Sequence, residues 1–354
     1  MNRKRNIIIS ITLLGLISII NLYNAKYLNH FYSYYYLKQL IWYILSFLIC
    51  YIMSKNKIKT IFKYSNYIYY FNLVLLILVL LLGKNINGSK AWLNLGIFSF
   101  QPSEFMKISL NLYLFNICDQ KCKKKIKLLR LIMATIIPSI LVFLEPDTGA
   151  IIFYIIIFLI SLSYLKIDKK YYILFFLTGI ISFGLIIYLY IFKQNILIKI
   201  LGTSIFYRAD RIINFKANNY QRDLAMLSIF GSNIMQNGFQ KILIYVPESP
   251  TDFIFAFSTG NYGILLGITI LIFYFFLLNN LLGLIKIKQD KKTNYLIISF
   301  VYMTFLQIII NISMNIGIIP IIGITLPFLS YGGSSLLICF IYLGMIFSLT
   351  NKDD

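Results

Sequence analysis

Histidine occurs once in the 354 residues, at His30, and cysteine four times. A His/Cys zinc cage therefore has almost nothing to be built from. Cys50, Cys118, Cys122 and Cys339 give no disulfide framework, and Cys118 and Cys122 border a lysine-rich stretch expected to face a reducing cytosol. Acidic residues number only 12, and all charged residues together make up 13% of the chain, about half the usual share of a soluble domain at roughly 25%. With 59% apolar residues and a mean hydropathy of +0.78, the composition excludes an ordinary water-soluble fold. A net charge of +21 invites a nucleic-acid reading, but the lysines and arginines sit in short clusters between apolar runs. No basic groove with interleaved aromatics is formed, so nucleic acid is not expected as a partner. Tyrosine and phenylalanine are abundant everywhere, alongside Ile, Asn and Lys. That is a bias of an AT-rich genome and carries no chemistry.

What is present is a series of long apolar runs. A hydrocarbon core of roughly 30 Å needs about 20 such residues per helix. Runs of that kind fall near 7–25, 38–54, 64–82, 102–118, 131–145, 148–165, 171–192, 252–285, 295–316 and 329–349. The expected fold is an all-α integral membrane protein, a single polytopic domain over 1–354 with about ten transmembrane helices. The eighth run is too long for one straight span and must tilt, kink or start outside the membrane. Arg3, Lys4 and Arg5 precede the first run as in a signal peptide, but it is long and has no small-residue cleavage site, so it is kept as a span. Placing the N-terminus in the cytosol puts 21 of the 33 Lys and Arg residues inside, as the positive-inside rule requires, with both termini cytosolic. The segment 194–251, between the seventh and eighth spans, becomes a large extracytoplasmic loop. Its apolar stretch Leu224–Phe230 predicts folded, interfacial or re-entrant helix rather than a plain connector.

The carboxylates divide by side. Asp119, Asp168, Asp290, Asp353 and Asp354 fall to inner loops or the tail, whereas Glu104, Glu145, Asp147, Asp210, Asp223, Glu248 and Asp252 all map to the outer face. An outward-facing site at the membrane surface follows. Asp252 lies where the loop Pro247-Glu248-Ser249-Pro250-Thr251 turns into an apolar helix. It is read either as a helix cap, a role Thr251 could share, or as a partly desolvated general base. Glu104 and Lys107 stand one helical turn apart after Pro102, which suits the first helical position. Such a pair is either a buried structural ion pair or the lining of a cavity. In Glu145-Pro146-Asp147-Thr148-Gly149, Pro146 ends one helix and Asp147 is placed to cap the next. Arg208 and Arg211, with Lys199, Lys216 and Arg222, give the outer loop a basic face suited to a phosphate or diphosphate, or equally to lipid headgroups. Gly332-Gly333-Ser334-Ser335 opens the last run, where small residues permit close helix approach or a backbone anion site.

Taken together, these segments resemble the SEDS family (shape, elongation, division and sporulation), whose members RodA and FtsW are membrane glycosyltransferases. The resemblance runs through Gly88-Ser89-Lys90-Ala91-Trp92-Leu93, Phe100-Gln101-Pro102-Ser103-Glu104 with Lys107, Glu145-Pro146-Asp147-Thr148-Gly149, and Tyr220-Gln221. It continues in Gly231-Ser232, Pro247-Glu248, and Thr251-Asp252-Phe253-Ile254-Phe255-Ala256. It closes with Asn315-Ile316-Gly317, Pro320, Gly323 and Leu326-Pro327-Phe328-Leu329-Ser330-Tyr331-Gly332-Gly333-Ser334-Ser335. Departures are Pro250, where the family usually has His, Gly260-Asn261, where it has two Glu, and Asn233-Ile234 in its Gly-Ser-Gly-Gly run.

The resemblance implies a peptidoglycan glycosyltransferase of the bacterial cytoplasmic (inner) membrane. Its substrate would be lipid II, a disaccharide pentapeptide on undecaprenyl diphosphate, polymerised for elongation and cell shape. Asp252 would be the catalytic base, and Glu104, Lys107, Arg208, Arg211, Glu248, Ser330, Gly332, Gly333 and Ser334 the substrate-binding set. The implied partners are a class B penicillin-binding protein transpeptidase and membrane lipids. No cofactor is required, although a divalent cation, Mg or Mn, could assist; no metal site is legible. The short tails and the asparagines near Asn311 and Asn315 look more like RodA, while Gly323-Ile324-Thr325-Leu326-Pro327 resembles many FtsW proteins; the balance falls to RodA. The alternatives are an FtsW-like divisome polymerase, a lipid II flippase, which would need an alternating-access cavity, and a noncatalytic scaffold for cell-wall synthases.

Overall fold

The computed structural model describes residues 2–56, 58–86, 89–94, 96, 99–215, 220–285 and 290–350. Helices run α1 Asn2–Ala25, α2 Tyr35–Lys55, α3 Ile58–Lys63, α4 Ser65–Leu82, α5 Pro102–Asp119, α6 Lys124–Leu144, α7 Thr148–Tyr164 and α8 Lys169–Phe192. They continue with α9 Gln194–Leu201, α10 Thr203–Ile213, α11 Tyr220–Phe230, α12 Ile254–Tyr262, α13 Ile264–Ile285, α14 Lys291–Asn315 and α15 Gly333–Leu349. Among the described residues, 7 helices are long and apolar enough to cross a membrane, while α7 and α15 are apolar but shorter. α5 matches the fourth apolar run but carries Glu104, Lys107 and Asp119. The protein is a multi-pass, nearly all-helical membrane protein.

Burial sorts these helices into centre and rim. α5, α14 and α15 bury most of their surface inside the bundle, and α15 lies along α2 as α1 lies along α13. Some polar groups on the inner helices pair with one another, as a medium without water favours: Asn111 Nδ2 donates to the Tyr342 hydroxyl at 3.1 Å, and Ser161 and Tyr295 share a hydrogen bond of 2.7 Å. α8 is the opposite case, with Tyr190 its one buried residue. It rests on α9 and α10, which fold from the start of the long loop.

The eighth run breaks rather than tilts. α12 ends at Tyr262, Gly263 takes φ +97°, and α13 begins at Ile264. A Cβ on Gly263 would meet the Ile234 carbonyl oxygen at 2.5 Å, so both the backbone angle and the close approach demand glycine. α11, which covers the apolar stretch of the loop, packs on α12 through Ser228, whose hydroxyl donates to the Ala256 carbonyl at 3.0 Å. Gly260 permits this contact, since a Cβ there would lie 1.8 Å from the Ser228 hydroxyl. Asn261 holds the other side, accepting from the Leu243 amide at 3.2 Å. Of these two departures from the family pattern, Gly260 thus serves the α11–α12 contact and Asn261 ties α12 to the loop at Leu243, both at the end of α12 away from Asp252.

One element departs from the all-helical expectation. Between α4 and α5 a small antiparallel sheet forms from β1 Lys84–Ile86, β2 Ser89–Asn94 and β3 Ser99–Phe100. The Asn87-Gly88 dipeptide, a hairpin signal, was the sign of it in the sequence. These two residues, with Lys216, Lys352, Asp353 and Asp354, lie outside the described residues. Lys90 on β2 donates to the Leu80 carbonyl at 2.9 Å, satisfying one of the open carbonyls at the end of α4.

Candidate active site

Asp252 does not cap the helix it precedes. α12 starts at Ile254, its N-cap residue Phe253 makes no side-chain cap, and Thr251 turns its hydroxyl back to Glu248, 3.2 Å from both the carbonyl oxygen and Oε2. The cap comes from α14 instead: Asn315 Oδ1 accepts the Ala256 amide at 3.0 Å. The Asp252 carbonyl accepts from Asn311 Nδ2 at 2.9 Å and Asn315 Nδ2 at 3.1 Å. Ser330 donates to the Thr251 carbonyl at 2.6 Å, and the Tyr331 amide donates to the Pro250 carbonyl at 2.8 Å. The turn is thus pinned by its backbone from two distant segments.

The carboxylate it presents is left unengaged: among the described residues the side-chain hydrogen bonds to Asp252 go to its carbonyl and none to its carboxylate. Gly323, at φ +76°, passes beside it, close enough that a Cβ there would sit 3.5 Å from Oδ2. Asp252 is half-buried, in the turn outside the spanning helices. Burial, and then the neighbouring Glu248, push its pKa up to about 7. That is the range in which a carboxylate can act as a base near neutral pH.

A second polar group lies across the same crossing segment. Pro102 opens α5 at its first turn, as expected. Lys107 pairs with Glu104 at 2.5 Å, and its ammonium sits 4.4 Å from the centre of the Phe153 ring. Asp147 caps α7 by accepting the Ala150 amide at 3.4 Å, and its other oxygen accepts from Gln101 at 2.9 Å and Ser103 at 2.7 Å. Glu145, in the connector between α6 and α7, is wholly buried, and neither carboxylate oxygen has a partner among the described residues. Burial and the nearby Asp147 raise its pKa to about 8. Ile324, next to Gly323, packs on Gly149, where a Cβ would approach it to 3.2 Å. The segment between α14 and α15 therefore has Asp252 on one side and the Asp147 group on the other.

The remaining expected residues are placed unevenly. Arg208, on α10, lies over the Phe143 ring at 5.4 Å, and its two terminal nitrogens are buried without a partner among the described residues. Arg211 is exposed, and Arg222 is engaged with Asp223 at 2.6 Å. Ser334 accepts the Gln101 amide at 3.2 Å, tying α15 to the start of α5. Gly333 faces Trp42, where a Cβ would meet the indole at 2.2 Å; its bareness lets α2 approach α15. The Gly332 amide points to Gln39 Oε1 at 3.5 Å. Sequence reasoning missed the stacked pair Tyr35–Tyr331, with centroids 4.0 Å apart, because tyrosines occur everywhere in this chain. Among the described residues no three His, Cys, Asp or Glu side chains gather as metal ligands.

The fold and the turn together define a polytopic helical membrane protein that presents an unengaged carboxylate at a loop-to-helix junction. The chain belongs to the cell cycle protein family of FtsW, RodA and SpoVE, whose model matches residues 4–354. It is 32% identical to the probable peptidoglycan glycosyltransferase FtsW of Wigglesworthia glossinidia brevipalpis, over 96% of this chain and 90% of that one. It is also 32% identical to that of Coxiella burnetii, over 90% and 87%. Among solved structures, a chain from a peptidoglycan synthase complex that coordinates polymerization and crosslinking superposes with TM-score 0.78 at 21% identity, covering 97% of this chain and 96% of that one. The rod shape determining protein RodA of Thermus thermophilus superposes with TM-score 0.69 at 21% identity, covering 97% and 95%. The leaning towards RodA is not supported, because these curated relatives are FtsW proteins.

Proposed function

We propose that this protein is a peptidoglycan glycosyltransferase that polymerises lipid II at the outer face of the cytoplasmic membrane. The observation that carries this reading is the Asp252 turn, fixed by its backbone while its carboxylate stays free. Asp252 takes the proton of the GlcNAc 4-hydroxyl of the acceptor, and that oxygen attacks the MurNAc anomeric carbon of the growing chain. The bond from that carbon to the undecaprenyl diphosphate breaks, inverting an α-linked donor to a β-linked glycan. Negative charge gathers on the leaving diphosphate, and donors already in place there lower the barrier. Arg208 suits this role best, since its terminal nitrogens are unpartnered. Lys107 is already held by Glu104, and Arg211 is free at the surface. A Mg or Mn ion would arrive on the substrate's diphosphate, as Mg commonly does.

The names of the curated relatives favour the division branch over elongation. The synthase complex among the structural neighbours supports a class B transpeptidase as partner. Residues 194–251 are assigned to the outside and both termini to the cytosol, on the charge of the inner loops. Cysteine labelling should place positions 123 and 241 on opposite sides; the same side for both overturns this orientation.

The base role sets a pH dependence. Asp252 works only when ionised, so kcat/KM should be flat above about 7 and fall roughly tenfold per unit below it. A profile flat down to about pH 5 would mean that no group with a raised pKa acts as base.

A further inference from the structure

Asp252 stands one residue outside Phe253, the N-cap of α12, close enough in sequence for its side chain to fold back onto a free first-turn amide. An acceptor comes from another helix instead. Asn315 Oδ1 takes the Ala256 amide at 3.0 Å, while Asn315 Nδ2 and Asn311 Nδ2 both hold the Asp252 carbonyl. Asn311 Nδ2 also donates to the Ile324 carbonyl at 2.8 Å, so one side chain fixes the Asp252 turn and the segment that passes beside it. Asn311 and Asn315 are fully buried. We propose that Asn315, assisted by Asn311, is a positioning residue: it caps α12 from α14 and thereby keeps the Asp252 carboxylate out of the helix cap and available to the acceptor hydroxyl. The inference rests on the reading of Asp252 as the base.

The physical reason is competition for acceptors. Amides in the first turn of a helix need partners, and since the N-cap Phe253 has no side-chain acceptor, the Asp252 carboxylate is the next one upstream when Asn315 is removed. A carboxylate that accepts backbone N–H bonds is a weaker base. Of the groups facing Asp252, Glu248 from its own turn is the charged one that acts on it. Asn311 and Asn315 of α14, and Gly323 and Ser330 of the following segment, are neutral. The phenols of Tyr32 and Tyr35 face Glu248.

The test is the pH profile of lipid II polymerisation by the purified full chain with its partner, for wild type, Asn315→Leu, Asn315→Asp and Asp252→Asn. Asn315→Leu removes the cap, so its acid limb should move down by about one unit, with a loss of about tenfold at the plateau. Asn315→Asp keeps an acceptor for Ala256 but adds a negative charge beside the base, so its limb should move up by about one unit. A merely structural asparagine would lower folded yield and leave the Asn315→Leu limb where the wild type has it, and that result overturns the inference. If Asn315→Leu does not fold, Asn315→Ala takes its place, with the same downward shift expected. Full activity in Asp252→Asn would defeat the base reading itself. A dead Asp252→Asn with an unmoved Asn315→Leu limb would defeat only this inference.

Discussion

Asp252→Asn should fold, bind its partner synthase as wild type does, and polymerise lipid II some 100-fold to 10,000-fold more slowly, the usual cost of losing a general base. The substitution is clean because Asp252 has no structural duty through its side chain. α12 is capped by Asn315, and the turn is held through the Asp252 carbonyl, which Asn retains. A side chain of nearly the same size therefore changes the chemistry alone. Polymerisation at the wild-type rate would remove Asp252 from the mechanism. Glu248, in the same turn and hydrogen-bonded by Thr251, would then be the carboxylate to test.

Lys107→Ala should have the largest effect on folding. The pair it makes with Glu104 is nearly inaccessible, with side-chain exposures of 5% and 13%. Removing one member of such a pair costs about 3 to 5 kcal/mol, because the other charge is left without compensation. The cost is aggravated here by the company Glu104 keeps, since Glu145 and Asp147 act on the same Tyr154 phenol that Glu104 does. Folded yield and thermal midpoint measured in detergent should both drop sharply. The double variant Glu104→Gln with Lys107→Met should recover much of the yield, since two neutral side chains of similar size leave no orphan charge. Equal yield in Lys107→Ala and wild type would show that the pair is peripheral to the fold.

Much of this architecture is written in local pattern. Each expected apolar run became helix, because length and hydropathy are properties of a contiguous segment. Of the tilt, kink or outside start expected of the eighth run, the structure shows a break at Gly263, the one residue there with a positive φ. Asp147 was legible as a cap for the same reason, its amide partner Ala150 being three residues away. What the sequence hid are the interactions between distant segments. Asn315 caps a helix 59 residues upstream, and nothing near either residue announces it. The asparagines that suggested RodA turn out to hold the Asp252 turn. The glycines of the last motif offered either an anion site or close packing; at Gly333 the neighbour is the Trp42 indole. The β-strands between α4 and α5 were passed over because three short segments cannot compete with helical runs of about 20 residues in a hydropathy reading.

The central claim is that this chain makes glycan strands from lipid II. The direct measurement gives the purified protein, alone and with a class B transpeptidase, labelled lipid II in detergent, and separates the products by length. The account predicts a ladder of polymer whose formation Asp252→Asn slows by about 100-fold or more. Lipid II recovered unchanged under both conditions, from protein shown to be folded and partner-bound, would contradict it; movement of that lipid across a vesicle membrane would then establish a transporter instead.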